Sequence, residues 1–180
     1  MKRYALSVVI LGVLALALLP GCKVMSSEDL KNSVEVQDFT STWVSKYYQP
    51  WPPRLILVPQ ISFRIKNVGS KPLNYVNFNA VFNFKGDPEN LGDAFKAAIR
   101  GKAVPPGELS PVITLRSNLG VDGKNLAGIR DNPAWKQAEV RLFAISKGSS
   151  PVRLGIFDVS RDIDFKEPEP VGPKPGEVKK

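Results

Sequence analysis

Residues 61–84 read ISFRIKNVGSKPLNYVNFNAVFNF. In the first part, Ile61, Phe63 and Ile65 alternate with Arg64 and Lys66, and Leu57 extends the apolar row backwards. In the second part, Val76, Phe78, Ala80, Phe82 and Phe84 alternate with Tyr75, Asn77, Asn79 and Asn83. A period of two puts each apolar set on one strand face and each polar set on the other. The stretch Asn67-Val68-Gly69-Ser70-Lys71-Pro72 reads as a turn, because Gly69 tolerates positive φ and Pro72 lacks an N–H donor. The two flanking strands are expected at the centre of the fold, in a sheet with one buried and one wet face.

Working outward, residues 34–48 (VEVQDFTSTWVSKYY) are rich in β-branched and aromatic types and suit one long strand or two short ones. Residues 49–54 (QPWPPR) interrupt it, since three prolines remove ladder donors. Beyond the centre, Leu91, Phe95 and Ile99 recur at a spacing of four. That spacing predicts one short helix over residues 91–99, ending near Gly101 and capping an open end of the sandwich. Strands follow over 111–117, 138–145 and 151–157, with a continuation over 159–165. Residues 118–135 form a long Gly/Asn/Asp-rich connection. Short strands at regular spacing, separated by Pro/Gly turns, predict an all-β, antiparallel β-sandwich.

The totals narrow the function. Among 180 residues there is no histidine and a single cysteine, Cys22. One cysteine makes no internal disulfide, and the set lacks the usual ligands of a zinc cluster. Without histidine the usual general base near neutral pH and the Ser-His-Asp arrangement are both missing. No cofactor or metal is expected. Net charge is +8, or 23 − 17 = +6 once Lys2 and Arg3 are removed with the N-terminal segment.

That segment has a positive start (Lys2, Arg3) and an uncharged apolar run over residues 4–19, then Pro20-Gly21-Cys22. Charge, apolar run and small residue before a cut site make a signal-peptide helix. The quartet Leu19-Pro20-Gly21-Cys22 resembles the lipobox of bacterial lipoproteins, with Leu19 and Gly21 on the pattern and Pro20 departing from it. The resemblance implies cleavage between Gly21 and Cys22 and acylation of the Cys22 thiol. At about 0.8 kcal/mol per buried CH₂, two or three acyl chains hold a protein stably at a membrane. Lys23 follows where an inner-membrane retention aspartate stands in enteric lipoproteins, which implies an outer-membrane location facing the periplasm. The expected division is signal peptide 1–21, lipidated tether 22–33, β-sandwich 34–165, and a disordered Pro/Lys-rich tail 166–180.

Residues 61–84, followed by Pro106-Gly107-Glu108, resemble Ig-like domains of bacterial envelope proteins such as the FxLYD group. There an N-x-G/S-x-x-P-L turn joins two strands and a P-G-E turn precedes the next. The resemblance implies an Ig-like topology, which hosts binding, adaptor and structural roles alike.

Three clusters are candidates for chemistry. Asp158, Arg161, Asp162 and Asp164 gather near the C-terminal strand, as paired carboxylates or as a solvated, aggregation-blocking edge. Asn118, Asp122, Asn125 and Asp131 offer oxygen donors in one loop, but their spacing does not match a calcium loop. Trp43, Tyr47, Tyr48 and Trp51 lie among Pro50, Pro52 and Pro53, as a contact patch for a partner or as aromatic cover over the sandwich edge. The basic residues are scattered, and export removes the chain from nucleic acid, so no nucleic-acid partner is expected. The leading expectation is a non-catalytic, lipid-anchored envelope protein that docks on another envelope protein. The alternative is a lipid or glycan carrier, with its ligand between the 91–99 helix and the sheet. A hydrolase using the aspartates ranks last.

Overall fold

The structure, a computed structural model, describes residues 25–87 and 90–168. The signal peptide, Gly21, Cys22 and tail residues 169–180 lie outside the described residues. In chain order the elements are α1 (Ser27–Ser33), β1 (Val34–Pro50), β2 (Pro53–Asn67), β3 (Val76–Phe84), β4 (Asn90–Ile99), β5 (Ile113–Arg116), β6 (Val121–Gly123), α2 (Leu126–Arg130), β7 (Ala138–Ser146), β8 (Val152–Val159) and β9 (Ile163–Asp164). They form two sheets. One runs β5-β2-β1-β9, with β6 also on β2, and the other runs β4-β3-β7-β8. Neighbours are antiparallel except β1 and β9, which pair in parallel.

The alternation in residues 61–84 is read faithfully. Ile61, Phe63, Ile65, Phe78, Ala80 and Phe82 are all fully buried. Both strands are central, but in opposite sheets, so the turn between them crosses the sandwich. Their inner faces meet directly: the Phe63 and Phe78 rings lie 5.4 Å apart, edge to face. Burying such side chains away from water is the main favourable term in the fold.

The crossing is held by Asn67, whose side chain is completely buried. Its Oδ1 accepts from Gly69 N at 3.0 Å, and its Nδ2 donates to Lys71 O and Val104 O, each at 2.8 Å. Its backbone N–H donates to Glu108 O at 2.9 Å, and its carbonyl accepts from Gly107 N at 2.7 Å. The two turn motifs singled out in the sequence therefore touch each other through one asparagine. Val68 N also donates to Ser33 O at 3.0 Å. A Cβ on Gly69 would come within 2.4 Å of Ser33 Oγ, so only glycine lets the turn sit this close to the start of β1.

Two expectations are corrected. Residues 91–99 form strand β4, not a helix. A spacing of four satisfies a two-residue period as well as a helical one, and β3 needs a ladder partner on this edge. Gly92 sits at φ +113°, outside helical space. Register shifts near each end of the β3–β4 pairing accompany inward-facing Leu91 and Ile99 and an exposed Phe95. Residues 27–33, expected as part of a tether, form a helix with a reciprocal capping box. Asp29 N donates to Ser26 Oγ at 3.0 Å, and Ser26 N donates to Asp29 Oδ2 at 3.4 Å. The Ser-x-x-Asp signature was present in the sequence. Leu30 of this helix is fully buried in the core, so the folded domain begins before residue 34. Among the described residues no helix is long and apolar enough to cross a membrane.

Leu30→Ala is expected to lower unfolding free energy by about 2–5 kcal/mol in denaturant titration, as for a core truncation. Asn67→Ala, which leaves two carbonyls and an N–H without their buried partner, is expected to cost roughly 3 kcal/mol in the same measurement.

Candidate functional site

β1 and β2 form one long hairpin whose register runs from Val34↔Asn67 to Pro50↔Pro53. Its start lies beside α1. Its tip, Trp51-Pro52, lies at the other end of a strand of 17 residues, about 50 Å away at some 3.3 Å per residue. The parallel bridge to β9 falls at Trp43 and Val44, and Ser41 Oγ donates to Asp158 O at the end of β8. Past this level the hairpin continues as an arm, flanked on its β2 edge by β6. Leu55 and Leu57 on the arm are fully buried in the same core cluster as Ile129 of α2 and Trp135.

The four aromatic residues of the predicted patch divide along this arm. Trp43 is only 1% exposed and sits edge-on to Trp135 at 5.6 Å, so it is core. Tyr48 is half-buried against Phe165, with ring centroids 5.5 Å apart. Tyr47 is partly open, and Trp51 is 84% exposed. The split follows from register: Tyr48 pairs opposite buried Leu55, whereas Tyr47 pairs opposite Ile56 on the other face. A shift between Ser45 and Tyr47 sets this phase, and no pattern in the sequence announces it.

The exposed end is braced by polar contacts. Tyr47 Oη lies against Gln49 Oε1, and Gln49 Nε2 donates to Trp51 O at 3.0 Å. Arg54 donates to Asp122 Oδ2 from Nη2 at 2.7 Å and from Nε at 3.0 Å, and its guanidinium lies 5.9 Å from the Tyr47 ring centroid. The hydrogen bond and negative charge of Asp122 raise the Arg54 pKa further above its already high value. Being exposed, this pair orients the arm more than it stabilises the fold.

The other candidates are used structurally. Asp122 belongs to Arg54. Asn118 exchanges hydrogen bonds with Asp93, through Asp93 N and Asp93 Oδ1, each at 2.9 Å. Asn125 caps α2, its Oδ1 accepting from Gly128 N at 2.7 Å. These oxygens face separate partners. Asp158 pairs with Lys85 at 2.6 Å, and the carbonyl of Asp162 accepts from Trp43 N at 2.8 Å. Asp164 lies in β9 opposite Val44. Arg161 stacks over Trp135 at 4.4 Å and donates to its carbonyl. The structure thus fastens the C-terminal segment across the core aromatics and does not bring its aspartates together around a cleft. The helix expected to roof a carrier site is strand β4. A surface cleft of about 360 Å³ lies between β4 and β5, lined by Asp93, Phe95, Lys96, Thr114 and Arg116 among others.

No protein-family model and no curated protein matches the sequence. Among solved structures, the chain is similar to one described as the ApaA protein of Bordetella pertussis, at 16% identity and TM-score 0.38, covering 71% of this chain and 93% of that one. It is similar to structural-genomics target SoR45 at 11% identity and TM-score 0.43, covering 77% and 96%. A protein from Archaeoglobus fulgidus matches at 11% identity and TM-score 0.33, covering 69% and 92%. At these identities the likeness concerns the fold alone.

Truncating the two tryptophans separates their roles. Trp43→Ala is expected to cost about 3–5 kcal/mol of stability, whereas Trp51→Ala is expected to stay within about 0.5 kcal/mol of wild type. Parallel denaturation curves check both.

Proposed function

We propose that this protein is a lipid-anchored component of the bacterial cell envelope that acts without catalysis, as an interaction module docking on another envelope protein. Cys22 holds it to the membrane, on the outer membrane facing the periplasm, and the far end of the domain meets the partner. The observation that carries the reading is Trp51. An indole 84% exposed to water at the tip of a braced arm has no part in the core. Tryptophan and tyrosine supply large contact area at little entropic cost, which is why they dominate the centres of protein interfaces. Pro50, Pro52 and Pro53 around Trp51 restrict the backbone before any partner arrives, so little order is lost on binding. Tyr47 and Arg54 extend the same surface with an aromatic face and a fixed positive charge.

The geometry is consistent with an anchor at one end and recognition at the other. Met25 stands three positions after Cys22 in sequence and is packed against the core, and the arm tip lies at the opposite end of β1. A protein tethered there would present Trp51 away from its own bilayer.

Two measurements test the reading. Growth with a fatty-acid analogue should label wild type and leave Cys22→Ser unlabelled; equal labelling of both would remove the anchor. Crosslinking in intact membranes should recover a protein partner with wild type. The Tyr47→Ala/Trp51→Ala double variant, folded and equally abundant, should retain it roughly tenfold less well. Unchanged recovery would dismiss the arm tip as the contact.

A further inference from the structure

The end of the sandwich where the chain enters carries a recess of about 650 Å³, whose lining includes Met25, Asp29, Lys71, Pro72, Tyr75 and Lys147. It is built by α1, the β2–β3 crossing and the β7–β8 turn. Ser27 Oγ donates to Ser150 O at 3.2 Å and accepts from Ser150 N at 3.1 Å, which fixes α1 against that turn. The neighbouring loop, with Arg100 and Lys102, is held beside the crossing by the backbone bridge of Leu73 with Val104.

Cations without an acidic partner line and flank this end. Arg54, Arg64, Lys85, Lys136 and Arg141 each have a carboxylate within 4 Å. Among the described residues, Lys71, Arg100, Lys102 and Lys147 have none, and all four are exposed; Lys46, Lys96, Arg116 and Lys124, away from this end, have none either. Asp29, the acid in the recess, is engaged in the capping box. Beside these cations stand Tyr75 at 57% exposure and Val68 at 49%. Free lysines and arginines beside an exposed tyrosine and apolar groups are the composition that favours a membrane–water interface. The cations meet lipid phosphates while the ring sits at headgroup level.

We infer that this end docks on anionic lipid headgroups, with Lys71 and Lys147 at the recess and Arg100 and Lys102 beside it, and so seats the domain upright with its arm away from the bilayer. The inference rests on the reading of Cys22 as the anchor, which would bring Met25 and this recess to the bilayer surface. The charge complementarity is its own. A tether alone leaves the domain free to tumble, whereas a basic, aromatic-rimmed base gives it one preferred orientation.

The test uses the full chain, purified from bacterial membranes and reconstituted into phosphatidylcholine vesicles with or without phosphatidylglycerol. Acylation consumes the only native thiol, so Tyr75→Cys and Trp51→Cys each offer one labelling position. Ser70→Cys serves as a second basal position should Tyr75→Cys misfold. With phosphatidylglycerol present, a headgroup-attached quencher should quench the basal label severalfold more than the Trp51→Cys label. High salt or Lys71→Glu/Lys147→Glu should abolish the difference. Equal quenching at both positions, or quenching indifferent to phosphatidylglycerol and salt, would overturn the inference. In that case an acidic protein would be the better occupant of the basic end. Intact mass reads the anchor separately. If Cys22 carries no acyl chains, the anchor reading fails by itself. Docking is then read from salt-sensitive co-sedimentation of the Cys22→Ser chain with anionic vesicles. Loss of that co-sedimentation in the charge-reversed variant upholds the inference, and its persistence overturns it.

Discussion

The buried amide of Asn67 is the constraint on which the architecture turns. A polar side chain with no solvent contact is tolerated only when its donors and acceptor are met. Here they are met by two different segments: the following turn, at Gly69 and Lys71, and the loop at Val104. Its backbone groups bind the Pro106-Gly107-Glu108 turn as well. Satisfying one residue therefore requires the crossing from one sheet to the other, the return from β4 and the approach to β5 to be in place together. That cooperation makes the end of the sandwich beside α1 a single rigid unit. The hydrophobic core supplies most of the stabilisation, but it is non-directional and does not by itself choose which strand leaves which sheet.

From that fixed end the molecule extends in one direction. β1 and β2 are the longest strands, and their hairpin outruns the facing sheet. An unsupported two-stranded ribbon is marginal in water. The arm is steadied because β6 lies along β2, Ile129 and Trp135 join the core beside Leu55 and Leu57, and the C-terminal segment crosses at Trp43. The Gly/Asn/Asp-rich connection thus acts as a buttress. Its oxygens are spent on capping α2, clipping Asp93 and anchoring Arg54. The stiffness they provide lets an exposed tryptophan stand at the tip without folding back.

The two proposals use opposite ends of this axis and complement each other. A recognition tip on a long arm is useful only if the arm points away from the surface that bears the anchor. A basic base that grips headgroups provides that direction. Lys71, Arg100, Lys102 and Lys147, none of which has a carboxylate within 4 Å, lie at the end beside α1, where their charge would orient the domain as well as solubilise it.

The sequence by itself determined the class of fold, the central pair of strands, the turn at 67–72 and the buried rows of β2 and β3. Period-two alternation is a local property, and burial follows it directly. It also contained, unread, the Ser26-x-x-Asp29 capping box of α1. What only the tertiary structure decided depends on phase and partnership. Leu91, Phe95 and Ile99 are spaced for helix or strand alike, and the vacant edge of β3 chose strand. Trp43, Tyr47, Tyr48 and Trp51 are one aromatic cluster in sequence. The register shift between Ser45 and Tyr47, the packing of Trp135 and the end of the arm separate them into core, flank and surface. A strand inverts its faces with every single-residue slip, and a slip is set by the partner strand, so no reading of one segment alone could have assigned them.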